Sequence, residues 1–209
     1  MHEQHKYKEV LSKKQIELLG LVKKFSDEFG LVGGTAIAIQ LGKRRSVDFD
    51  LFTTSDFDSD HIRKIIREEF EIQSVLVEIP GELTVIVNGV KLTFCKYPFK
   101  ITFTEEFEDV IKMPDLLTLA AMKAFALGRR SKWKDYVDLH FMFKECQFLR
   151  VVKRAGELFG GEFNEKLFRE QLSYFNDMDF SEEVDYLEGF EISDESIKEK
   201  LKEISLQKD

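Results

Sequence analysis

Apolar residues recur at Ile16, Leu19, Val22 and Phe25 with charged residues between them, a spacing that predicts an amphipathic helix over residues 13–29. The pattern breaks at Gly30-Leu31-Val32-Gly33-Gly34, which reads as a very short strand ending in a glycine turn. A short apolar helix follows over residues 35–41, with Gly42 placed to cap it. The basic loop Lys43-Arg44-Arg45-Ser46 then leads into an alternating strand at 47–52. Residues 59–70 suit another helix, and three further strands are predicted at 72–79, 82–87 and 90–97. Pro80-Gly81 and Asn88-Gly89 separate those strands, the second pair being a strong hairpin signal. From Pro114 onward the period becomes helical, over 114–127, 133–144, 151–159, 164–175 and 193–204. The expectation is an α+β front part, residues 1–112, and a helical C-terminal subdomain, residues 113–209. No repeat or low-complexity linker divides them, so they are expected to pack together.

Composition narrows the class. The 209 residues are 43% hydrophobic and 33% charged, ordinary for a globular chain. No apolar run approaches the roughly 18 residues of a membrane span, and residues 1–8 are polar, so a soluble cytoplasmic protein without membrane association is expected. Cys95 and Cys146 lack any zinc-ligand spacing and are expected to be buried thiols. His2, His5, His61 and His140 are scattered, again without metal spacing. The net charge of −8 argues against a surface that grips nucleic acid all over. The excess is local, because residues 1–150 hold 23 acidic and 23 basic residues whereas 151–209 hold 16 and 8. Within that tail, residues 176–195 carry acidic residues and no basic one, which fits a lid, a partner contact or a solvated stretch equally well.

The candidate chemistry begins at Asp48 and Asp50. Two apart on a strand, they send both carboxylates to one face, and paired acids are usually held by a cation such as Mg²⁺ or Mn²⁺. A solvated strand edge would give the same pattern. Gly33 and Gly34 before a helix beginning at Thr35 let backbone N–H groups approach phosphate oxygens at a positive helix end. In the second half, Lys123 is the only charged residue of an apolar helix after Asp115, and a core-facing lysine needs an anionic partner. Five basic residues and no acidic one lie between Ala121 and Lys134. Asp135 and Asp138 share a face of the next helix, where Lys134 is spaced to pair with Asp138. The twenty phenylalanines, Phe94, Phe99, Phe103 and Phe107 among them, fit core packing better than base stacking.

Val32-Gly33-Gly34-Thr35-Ala36 followed by Arg45-Ser46-Val47-Asp48-Phe49-Asp50-Leu51-Phe52 resembles the first motif of the DNA polymerase β-like nucleotidyltransferases, in the version of AbiEii-like toxins. Lys123, Arg129-Arg130 and Lys134-Asp135-Tyr136-Val137-Asp138-Leu139 resemble that family's downstream helical motifs. The resemblance covers roughly residues 12–145 and two motifs in the expected order. It implies a nucleotidyltransferase-type mixed sheet flanked by helices, a nucleoside triphosphate as substrate and transfer of a nucleotide to a hydroxyl of RNA, a tRNA 3′ end being one candidate. A cognate antitoxin would be the protein partner. By the same resemblance Asp48 and Asp50 hold Mg²⁺ or Mn²⁺, and Gly33, Gly34, Thr35, Arg45, Ser46 and Arg129 contact the nucleotide. Lys123 neutralises the leaving group and Asp135 activates or orients the acceptor. Many relatives of that superfamily add a third acid on a later strand, where this chain has Thr93. A catalytically silent relative and a small-molecule nucleotidyltransferase of the aminoglycoside type therefore stay open.

Overall fold

The computed structural model describes residues 6–127 and 129–207, so Gly128, expected at a helix end, and His2 and His5 lie outside the described residues. The chain divides into two compact units, residues 1–115 and 116–209.

The first unit opens with two short helices, α1 (Lys13–Glu17) and α2 (Leu19–Lys23), where one helix was expected. Ser12 and Gln15 form a reciprocal capping box that starts α1. At Leu18, and again from Lys24 to Glu28, backbone bonds close over three residues instead of four, so the helix tightens and stops early. Leu19, Val22 and Phe25 are buried as the periodicity requires, but Ile16 is exposed.

Strand β1 (Gly30–Val32) runs straight into helix α3 (Gly33–Leu41), and Gly42 caps that helix with φ 63°. Strand β2 (Phe49–Thr53) is followed by helix α4 (Ser59–Arg67) and strands β3 (Ile72–Ile79), β4 (Glu82–Val87) and β5 (Val90–Lys96). Asn88 and Gly89, both at positive φ, make the β4–β5 turn, and Gly81 at φ 84° makes the β3–β4 turn. The sheet order is β1-β2-β5-β4-β3, with β2 and β5 parallel and the other pairs antiparallel, so the sheet is mixed.

One face of this sheet is a core of Phe49, Leu51, Leu92, Phe94, Leu83 and Val85, all fully buried. Phe25 and Phe29 close on Phe94 with ring centroids 4.8 and 5.4 Å away. The opposite face carries Asp50, Lys91, Thr93 and Glu82, because strand side chains alternate. A small hairpin, β6 (Glu105–Phe107) with β7 (Ile111–Met113), was not expected, three residues being too few for an alternation to show.

The second unit is helical: α5 (Leu116–Leu127), α6 (Trp133–Glu145), α7 (Phe148–Phe159), α8 (Glu165–Ser173) and α9 (Asp194–Ser205). Aromatic pairs knit it together, Phe125 stacking on Phe159 at 4.0 Å and Phe148 on Phe168 at 5.8 Å. The acidic stretch before α9 is tied down at its start. Asp179 exchanges backbone hydrogen bonds with Ser131 and Trp133 at 2.8 and 3.0 Å, Phe180 lies 5.3 Å from the Trp133 ring, and Glu182 pairs with Lys132 and Lys134. Lys134 therefore meets Glu182 and not, as its spacing predicted, Asp138. No helix among the described residues is long and apolar enough to cross a membrane. Cys95 and Cys146 are only half-buried, not buried as expected.

Candidate active site

In the first unit the sequence-predicted residues converge where β1 turns into α3. Gly33 stands at φ 71°, a conformation that side chains rarely adopt, and a methyl group there would lie 2.1 Å from Asp50 Oδ2. Only a glycine lets the Asp50 carboxylate come this close to the start of the helix. At Gly34 a methyl group would lie 2.9 Å from Ser46 Oγ and 3.1 Å from Arg44 Nη2. Gly33, Gly34, Asp50, Ser46 and Arg44 thus share one small region at the N-terminus of a nine-residue helix, where unpaired N–H groups and the helix dipole favour an anion.

Asp48 lies just before β2 and is held twice. Its backbone carbonyl accepts a hydrogen bond from the buried Thr35 hydroxyl, and its Oδ2 meets Lys91 Nζ at 2.6 Å. The only hydrogen of the Thr35 hydroxyl is therefore spent on Asp48, so Thr35 positions the strand entrance and cannot donate through its side chain to a phosphate. Thr93 stands beside Asp50 in the β2–β5 register, the place where a third acid was sought. Negative charge on this face is felt nearby: the Cys95 thiol is pushed up to about 11, first by burial and then by Glu82 and Asp50.

Among the described residues no group of three or more His, Cys, Asp or Glu is placed to hold a metal ion. Two carboxylates on one face are still a hard oxygen donor set. That set suits Mg²⁺, which is commonly held by one or two carboxylates, substrate phosphates and water.

Arg45, expected to contact the nucleotide, is exposed, whereas Arg44 is 4% exposed and faces Gly34. Of the two arginines, the buried one beside Gly34 is the one to which the sequence assigned no contact. The only available signal was that two consecutive residues entering a strand point to opposite sides.

The second unit gathers the other predicted residues. Lys123 is 6% exposed, and its Nζ binds Asp135 Oδ1 and, at 3.1 Å, Asp138 Oδ2. The anionic partner that its burial demanded is thus internal. Arg130 completes the cluster with a two-point hold on Asp135, Nε to Oδ2 at 2.7 Å and Nη2 to Oδ1 at 3.1 Å. Burial alone would raise the Asp135 carboxyl, but the charge of Lys123 and the hydrogen bond and charge of Arg130 overcome it and hold the group down to about 2. A carboxylate so weakly basic is a poor proton acceptor.

Arg129 does not join this cluster. Its guanidinium lies 3.5 Å above the Phe125 ring, and it reaches the Phe125 carbonyl at 3.3 Å and Glu162 at 3.5 Å. The arginine that meets Asp135 is Arg130, which the sequence motif included but to which no contact was assigned. A cavity of about 690 Å³ in the first unit, bordered by Phe29, Lys100 and Phe103, contains none of these residues.

A mixed sheet carrying paired acids beside a glycine turn at a helix N-terminus defines a nucleotidyltransferase-type core. Comparison with known proteins agrees. Residues 20–203 match the family described as "Nucleotidyl transferase AbiEii toxin, Type IV TA system", and the chain belongs to that family of nucleotidyltransferase toxins. An uncharacterised protein of Aquifex aeolicus is 29% identical over 205 residues, covering 92% of this chain and 97% of its own. Among solved structures, MenT4, a nucleotidyltransferase toxin from Mycobacterium tuberculosis, superposes with a TM-score of 0.58 at 13% identity, over 92% of this chain and 82% of its own. JHP933 from Helicobacter pylori superposes with a TM-score of 0.54 at 15% identity, over 93% and 91%. At these identities the two structures support the fold.

Proposed function

We propose that this nucleotidyltransferase moves a nucleoside monophosphate from a nucleoside triphosphate to a hydroxyl of RNA, a tRNA 3′ end being the acceptor we favour, as a toxin restrained by a cognate antitoxin. The observation that carries the reading is the Asp50 carboxylate lying against Gly33 at the start of α3, which places a cation-binding acid beside an anion-binding helix end. A metal–triphosphate complex needs both.

In this reading Gly33 and Gly34 let the first N–H groups of α3 reach the phosphates, and the Ser46 hydroxyl donates beside them. Asp48 and Asp50 would hold Mg²⁺ or Mn²⁺, which when bound offsets charge on the phosphates. Thr35 keeps Asp48 in place through its carbonyl. Lys91 pairs with Asp48 and would share that carboxylate with the metal. The acceptor hydroxyl gives its proton to solvent as its oxygen forms a bond to the α-phosphorus, the bond to the bridging oxygen breaks, and pyrophosphate leaves. Lys123, held by Asp135 and Asp138, is our candidate for stabilising the charge on that leaving group, and Asp135 orients it.

Purified protein is incubated with each α-labelled nucleoside triphosphate, Mg²⁺ and total tRNA, beside a variant carrying Asp48→Asn and Asp50→Asn. Label on RNA that disappears in the variant is the expected result. Label that persists would overturn the role of the acids. Nucleotide binding without transfer of any of the four would favour a silent relative, for which the lack of a carboxylate at Thr93 speaks.

A further inference from the structure

The acidic stretch between α8 and α9 is not used by the transfer chemistry, yet it is fastened at a specific place. Asp179 forms a parallel bridge with Lys132 and exchanges backbone hydrogen bonds with Ser131 and Trp133. At the far end of the stretch, Asp194 accepts a hydrogen bond from Trp133 Nε1 at 3.0 Å. Between these fastenings Glu182 returns to the same first turn of α6. One of its carboxylate oxygens takes Lys132 Nζ, and the other takes Lys134 Nζ at 3.3 Å. Two ammonium groups bridged by two oxygens of one anion is also the way a pair of lysines can hold a phosphodiester, which presents two non-bridging oxygens sharing one negative charge. All three side chains are partly exposed, and exposed ion pairs add little net stability and yield to competing ions. Lys134 immediately precedes Asp135, which holds Lys123, so the two lysines border the cluster assigned to the leaving group.

We propose that Lys132 and Lys134 bind the phosphate backbone of the acceptor RNA, and that Glu182 occupies their phosphate position until RNA arrives. The acidic stretch is then an internal competitor, whose carboxylate RNA displaces from the start of α6. This rests on the reading of RNA as the acceptor. It also makes a prediction that a purely structural latch does not make: removing the competitor improves RNA binding.

Equilibrium binding of labelled total tRNA, without nucleotide, is measured against salt concentration for the wild type, for Glu182→Gln, and for a variant carrying Lys132→Gln and Lys134→Gln. Glu182→Gln is expected to tighten binding about fivefold at low salt, the competing charge having left two exposed lysines. The lysine variant is expected to weaken binding about tenfold or more, and to lower the slope of log affinity against log salt by about 1.4–1.8, because two phosphate contacts are lost. Unchanged or weaker binding by Glu182→Gln overturns the competitor role, and an unchanged salt slope in the lysine variant overturns the phosphate contacts. Should either variant not fold, the other decides on its own criterion. If all three proteins fail to bind tRNA even at low salt, RNA falls as the acceptor and this assignment with it, a result distinct from tRNA binding that ignores Glu182 and the lysines.

Discussion

Replacing Lys123 by Met removes the cation that two buried carboxylates share. Asp135 and Asp138 are 2% and 3% exposed, so their charges would stay in a poorly solvating interior with Arg130 left to face Asp135. Breaking a buried pair in this way costs about 3 kcal/mol or more, because a charge stays behind without its compensation. For a chain of this size that is a fall in melting temperature of roughly 6–12 °C.

The acid response is a second signature. The Asp135 carboxyl is held down to about 2 against an ordinary 3.8, so in the wild type its stabilisation is complete above pH 3.8 and is lost as pH falls toward 2. That contribution is about 2 kcal/mol. In the variant burial is opposed by Arg130 alone, so the slope of stability between pH 5 and pH 2 shrinks or reverses. Reversible denaturation at pH 7 and across that window, followed by circular dichroism, measures both effects. A triple variant, Lys123→Met with Asp135→Asn and Asp138→Asn, takes away all three charges and should recover most of the loss. If Lys123→Met melts within about 2 °C of the wild type with an unchanged acid slope, the lysine is not the counter-charge of these acids and the cluster has been misread.

Two further outcomes follow from other parts of the fold. His140 is 4% exposed with neither ring nitrogen hydrogen-bonded among the described residues, and burial, helped by Lys144 and Lys200, pushes its pKa down from 6.5 to about 4. Its stabilisation is complete above pH 6.5 and declines as pH falls to 4, by about 2–3 kcal/mol, so His140→Leu should flatten the denaturant midpoint across that range; an unchanged slope would assign it to other groups. Gly33→Ala forces a side chain into a positive-φ position and against Asp50 Oδ2, so stability should drop by about 2 kcal/mol and nucleotide transfer should be abolished; a stable, active variant would contradict the proposed role of this glycine turn.

Much of the architecture was legible in the residues alone. Alternation marked the long strands, Asn88-Gly89 marked their hairpin, and the three-to-four spacing marked the C-terminal helices, because each depends on neighbours close in sequence. Asp48, Asp50, Gly33 and Gly34 were found for the same reason, since one turn and one strand bring them together. Tertiary structure decided what depends on long-range partners. It chose Arg44 over Arg45 as the residue facing Gly34 and set Thr93 beside Asp50. It gave Lys123 to Asp135 and Asp138, and Arg130 to Asp135. It also tied the acidic stretch to Lys132 and Lys134 through Glu182. A local pattern shows that a buried lysine must have an anion, because desolvation is a property of its own surroundings. Which anion it meets is set by how the helices pack, and spacing along the chain does not encode that.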